Sequence, residues 1–210
     1  LSAFIPKALM YYGLQTVGTH TEVEERHGIL HPRAGRALLR EDERPEGALH
    51  PREAIPSILA RHWDAKFVFI GDGEMRAECE RQARELGVEG SCIFLGYIPS
   101  NVKEEWMNAC DMVCLPSRNE PFGIVVLEGW DAGKPVIATE AVSIIKNFED
   151  GLLAYIQPES IAWCINRLLD DPQEMERLGR AGRERLEREF TWDEIARETE
   201  EVYKRVLDRG

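Results

Sequence analysis

A doubly wound parallel α/β sheet is what this sequence predicts, and three observations predict it. From residue 53 onward, short apolar runs alternate with longer amphipathic stretches. The runs FVFI, CIFL, MVCL, PVIA and LLAY are apolar throughout, so each strand needs cover on both faces. Intervening helices supply that cover, and right-handed crossovers bring the loops that follow the strands to one edge. Ligands bind at that edge in sheets of this kind.

The elements follow in order. REAIPSILARHW (52–63) has helical spacing, and KFVFIGDG (66–73) is a run of β-formers ended by glycines. EMRAECERQARELG is an amphipathic helix stopped by Gly87. SCIFLGYI (91–98) is the next strand, NVKEEWMNAC a short helix, and DMVCLPS (111–117) a buried strand ended by Pro116. A turn and a helix follow, closed by Gly133, then the strand KPVIAT (134–139) and a last strand, DGLLAY (150–155). Helices are predicted near 158–170, 172–189 and 192–208, the last with a capping box between Thr191 and Glu194. Trp106, Trp130 and Trp163 occupy apolar helical positions and are read as core. ERLGRAGRERLERE carries opposite charges at helical spacing and reads as a solvated face.

The composition excludes several classes of function. With 210 residues and 43% hydrophobic content, the chain holds enough apolar surface for one large domain. Its net charge of −12 repels nucleic acid and anionic lipid, so no nucleic-acid partner is expected. Five cysteines (79, 92, 110, 114 and 164) lack paired spacing and read as reduced core residues of a cytoplasmic protein. No secretory signal and no bilayer-length apolar run is present. The leucine at position 1 suggests that the N-terminus of a longer protein is absent.

Chemistry concentrates in NEPFGIVVLEGWDAGKPVIAT (119–139), where two glutamates stand in an apolar setting. Pro121 pushes Glu120 toward an extended backbone, and Gly123 lets a ligand approach closely. The helix that starts there points unpaired amides and the positive end of its dipole at the crevice, a place suited to phosphate. Glu128 lies one turn further, among Val126, Leu127 and Trp130, where a carboxylate needs donors. A ribose diol supplies two hydroxyls, and Glu120 could accept from a sugar. The alternatives are a buried salt bridge for Glu128 and a helix-dipole role for Glu120.

This stretch resembles the signature of glycosyltransferase family 4, retaining enzymes of GT-B fold whose two glutamates are separated by seven residues. FVFIGDG, the segment IFLGYIPSNVKEEWMNACDMVCLPSRN and EDGLLAY follow in the order of that family's C-terminal, donor-binding half. The resemblance implies a Rossmann-like domain over 53–210, including the C-terminal helices, that binds a nucleotide diphosphosugar. Glu120 would contact the transferred sugar as the catalytic residue and Glu128 the ribose. The backbone of Phe122, Gly123 and Ile124 would meet sugar and phosphate, and that near Ile98 the base. Gly71, in the loop after the first of these strands, joins the donor-binding set, although with Gly73 its plain role is to let that loop turn. No metal and no cofactor beyond the donor is implied. The acceptor would be a carbohydrate or lipid-linked hydroxyl held by an N-terminal domain. PESIAWCINRLL is similar to glycogen-synthase-like members, which suggests a glucan product.

Two departures stand out. The family carries GR and KG on either side of a short gap, whose arginine and lysine clamp the diphosphate. Here Arg36 matches the arginine, but Glu41, Asp42, Glu43 and Arg44 stand where the lysine belongs. Residues 1–52 therefore read as an irregular N-terminal segment, a disturbed remnant of the domain's first strands, as a shift of reading frame would leave. Ala141 and Val142 stand where the family often has a glycine pair. Two alternative functions follow: a non-catalytic nucleotide-sugar-binding module or inactive fragment, and a sugar-nucleotide epimerase on the same fold. GDGEMR lacks the third glycine of a dinucleotide fingerprint, since Arg76 occupies its place. Arg118 lies on the ligand edge as a possible anion contact.

Overall fold

A computed structural model describes residues 8–10, 51–73, 76–117, 120 and 122–208. Its strands are β1 (Ala8–Met10), β2 (Phe67–Ile70), β3 (Cys92–Gly96), β4 (Val113–Leu115), β5 (Val136–Thr139) and β6 (Leu152–Ala154). Its helices are α1 (Pro51–Leu59), α2 (Arg76–Glu85), α3 (Ser100–Ala109), α4 (Ile124–Asp131), α5 (Pro158–Asp170), α6 (Pro172–Glu189) and α7 (Trp192–Leu207). The strands form one sheet in the order β3-β2-β1-β4-β5-β6, every neighbour parallel. The chain thus winds outward twice from the centre, and the winding reverses between β1 and β4. In sheets wound this way, ligands bind beyond the strand ends at that reversal.

Alternate residues of the strands β2 to β6 feed two cores. Phe67, Phe69, Cys114 and Ile137 pack with Ile55 and Ile58 of α1, and with Ile161, Ile165 and Leu168 of α5. Val68, Ile70, Val113, Leu115, Val136 and Ala138 face Met107 of α3, and Val126 and Trp130 of α4. All residues of β2, β4 and β5 are buried, which is why these strands are apolar without alternation.

The structure changes three sequence readings. Residues 1–52, read as irregular, contain β1 at the sheet centre, where Leu9 lies beside both Val68 and Val113. Three residues are too few to show a pattern, and ladders on both sides supply the stability that the run itself lacks. The other residues of 1–50 lie outside the described set, and with them the reading of a disturbed remnant. Trp163 is 52% exposed, not core, and stands edge-on to Phe148 with the Arg167 guanidinium over its ring. The charged face of α6 is not wholly solvated. Arg185 reaches inward to Asp150 at 2.5 Å, and Gly182 abuts Trp130 so closely that a β-carbon there would lie 2.2 Å from the indole. Among the other tryptophans, Trp130 is fully buried and Trp106 half-buried. Thr191 does cap α7 by accepting from the Glu194 amide at 3.3 Å, while the Glu194 carboxylate turns to Arg197.

Candidate functional site

The turn between β4 and α4 lies at the reversal of winding. Glu120 is half-buried there and accepts a hydrogen bond from the Gly123 amide at 3.0 Å. Gly123 caps α4 with φ 89° and ψ 53°, a left-handed conformation that favours glycine. A β-carbon on it would lie 3.0 Å from Val142 and 3.3 Å from Val126. Val142 is itself buried, so the loop after β5 closes on the turn. The Thr139 hydroxyl donates to the Ser117 carbonyl and ties the ends of β4 and β5 into one wall.

Val126 N–H donates back to Gly123 at 2.8 Å. The amides of Ile124 and Val125, in the first turn, have no intrahelical acceptor and stand at the positive end of the helix. Phe122 and Ile124 are exposed beside them, 43% and 65%, and the Phe122 ring meets Phe190 edge-on.

Glu128 follows one turn later. Its Oε1 receives the Lys103 ammonium at 2.5 Å, with the two side chains 32% and 22% exposed respectively. The salt-bridge alternative for Glu128 is therefore realised. It is realised on one oxygen only: Oε2 is screened from water and has no hydrogen-bond partner among the described residues. A carboxylate oxygen in that condition costs about 1–3 kcal/mol or more.

Glu120, Phe122, Gly123, Ile124 and Glu128 thus gather at one helix start. Ile98 and Gly71 lie on the same sheet edge but at the ends of other strands. Ile98 is half-buried against the second core between β3 and α3, and Gly71 donates its amide to Gly96 at 2.9 Å. Arg36 and Arg118 lie outside the described residues. Lys103 is the residue that sequence reasoning missed. A signal existed, because a cation in the first turns of a helix opposes the helix dipole and implies a specific partner.

The cysteines offer no nucleophile. Burial pushes the thiols of Cys79 and Cys164 up to about 11 and those of Cys92 and Cys110 up to about 12, with Cys114 raised further. At neutral pH such groups are thiols, not thiolates. All five are unpaired. Arg76, at the place of the third glycine, packs against Gly96 and pairs with Asp72 and Glu80, which leaves no open glycine loop.

The sequence profile of the glycosyl transferases group 1 family matches residues 44–185. The chain belongs to that family. This glycosyltransferase chain is 37% identical to an uncharacterized glycosyltransferase of Methanocaldococcus jannaschii, over 74% of its own length and 40% of that relative's. It is 30% identical to glycogen synthase of Mycobacterium tuberculosis, over 71% of its length and 37% of the relative's. It therefore spans well under half of either relative. Among solved structures, Anabaena HepE in complex with UDP-glucose is similar with TM-score 0.64 and 25% identity, over 72% of this chain and 44% of that one. The Rossmann-like sheet of this group 1 glycosyltransferase chain is the one found in GT-B neighbours, as the sequence resemblance implied. Among the described residues, no helix is long and apolar enough to cross a membrane.

Proposed function

We propose that the β4–α4 edge binds a nucleotide diphosphosugar, whose sugar passes to a hydroxyl acceptor with retention of anomeric configuration. The supporting observation is the Glu128 carboxylate at the winding reversal, with one oxygen left without a donor. A ribose hydroxyl would donate to it. Glu120 would take a hydroxyl of the transferred sugar, exchanging its hold on the Gly123 amide for the ligand. The freed Gly123 amide, with those of Ile124 and Val125, would face the diphosphate, together with Arg36. The loop at Ile98 would meet the base.

In the transfer, the bond from the anomeric carbon to the diphosphate oxygen breaks and a bond to the acceptor oxygen forms. The acceptor proton passes to the departing diphosphate oxygen, and the nucleoside diphosphate departs with the bonding pair. Stabilising that departing charge is the largest contribution such a site makes, and fixed amides at a helix start suit it without a metal ion. The matched relatives carry more chain outside the match than within it, and we place the acceptor, a carbohydrate or lipid-linked hydroxyl, on such a further domain. The glycogen synthase relative favours a glucosyl donor and a glucan acceptor.

A thermal-shift panel of UDP-, ADP- and GDP-sugars tests this reading. A true donor at a hundred times its dissociation constant adds about 2.7 kcal/mol of stability, a plain rise in melting temperature. No rise with any member of the panel contradicts the proposal. Transfer by this chain alone is expected to be slight, and turnover at ordinary enzyme rates would refute the assignment of the acceptor to another domain.

A further inference from the structure

The sequence reading gives Glu128 both hydroxyls of a ribose diol, but the structure shows one of its oxygens already engaged. We propose that Lys103 is a positioning residue of the donor site: it anchors Glu128 through Oε1 and leaves Oε2 as the oxygen without a donor, so that one ribose hydroxyl is read in preference to the other. This inference rests on the nucleotide-sugar reading above.

Three observations support it. First, the pair is made on one side only, with Nζ 2.5 Å from Oε1 and no donor on Oε2. The same fold satisfies a buried carboxylate fully where its role is structural. Asp150 receives the Lys146 amide on one oxygen at 2.7 Å and Arg185 on the other at 2.5 Å. Second, Lys103 occupies the fourth position of α3, where the dipole disfavours it, so its placement there has to be compensated by Glu128. Third, α3 begins directly after the loop that carries Ile98, and the Lys103 amide donates to Pro99 at 3.0 Å. One short segment thus holds both the base-facing backbone and the cation that sets the ribose-facing carboxylate. The terminal torsion of a glutamate is broad, so a modest turn of the carboxylate, followed by the flexible lysine side chain, brings Oε2 toward a hydroxyl.

Calorimetric titration with UDP, ADP and GDP, beside their 2′-deoxy and 3′-deoxy forms, tests the proposal. For the nucleotide that binds, removal of one particular hydroxyl is expected to weaken binding about tenfold or more, while removal of the other weakens it far less. In Lys103→Met, with the carboxylate released, both deletions are expected to weaken binding. Lys103→Arg, which keeps the cation, is expected to retain the single-hydroxyl pattern. Equal losses for both deletions in the wild-type chain, or an unchanged pattern in Lys103→Met, would overturn the role of Lys103. If Lys103→Met fails to melt cooperatively, the wild-type and Lys103→Arg patterns decide alone, and a lost pattern in Lys103→Arg counts against it. Should none of the three nucleotides bind the wild-type chain, the nucleotide reading itself falls, a failure distinct from wild-type binding that reads both hydroxyls equally.

Discussion

Two carboxylate–cation pairs in this chain differ in how completely they are satisfied. Asp150 is 3% exposed, and both of its oxygens have donors. Its partner Arg185 also donates to the Ile144 carbonyl and to Glu189, and lies over the rings of Trp130 and Phe190. Trp130 closes the set by donating its indole N–H to the Asp150 carbonyl at 3.0 Å. Glu128, two residues before Trp130 on the same helix α4, has one cation and, among the described residues, one oxygen with nothing to accept. Where a charge serves only to bind α6 to the sheet, the fold leaves neither oxygen open without a donor. Where α4 faces the crevice, one stays open, and a ligand is the natural donor.

The largest expected effect falls on the satisfied pair. Arg185→Met strands Asp150 in the interior and should cost about 3–5 kcal/mol, measured as a fall in the urea midpoint. A loss below about 1 kcal/mol would place this network on the same footing as a surface pair. Glu128→Gln is expected to show the reverse pattern. The half-exposed pair contributes less than about 1 kcal/mol to stability, while nucleotide affinity should fall about tenfold or more by titration. A variant that loses stability and keeps its affinity would make Glu128 an ordinary structural ion pair.

The smallest effect is an acid dependence within the Arg185 network. Hydrogen bonds from Arg185 and then Arg188 hold the Glu189 carboxyl down at about 2, below its ordinary 4.5. Because the folded value is the lower one, this contribution is whole above about pH 4.5 and is lost as pH falls toward 2. Glu189 is a third exposed, and solvent screening keeps the effect modest. Stability of Glu189→Gln should therefore fall less steeply than wild type over that range, as followed by acid titration of the melting temperature.

Much of the fold was legible because its signals are local. Pro158 and Pro172 open α5 and α6, and continuous apolar runs mark β2, β4 and β5, each a consequence of burial on both faces. β1 was not legible, since Ala8–Met10 is a strand only through the ladders on either side. The site divides along the same line. Gly123 and the two glutamates announce a turn and buried acid from their neighbours alone. The Lys103–Glu128 contact joins residues 25 positions apart on different helices, which no local pattern encodes. Trp163 was misread because an indole that stacks on Arg167 satisfies an amphipathic position without burial. The inward turn of Arg185 escaped notice because its helix neighbours, Glu187 to Glu189, do carry the charge pattern of a solvated face.

The most direct measurement is a crystal structure of the chain soaked with the nucleoside diphosphate of the donor that raises its melting temperature. The account predicts a ribose hydroxyl within about 3.2 Å of Glu128 Oε2, with Lys103 still on Oε1 and the phosphates at the amides of Gly123 to Val125. A nucleotide bound away from the start of α4, with the Glu128 oxygen still without a donor, would contradict it.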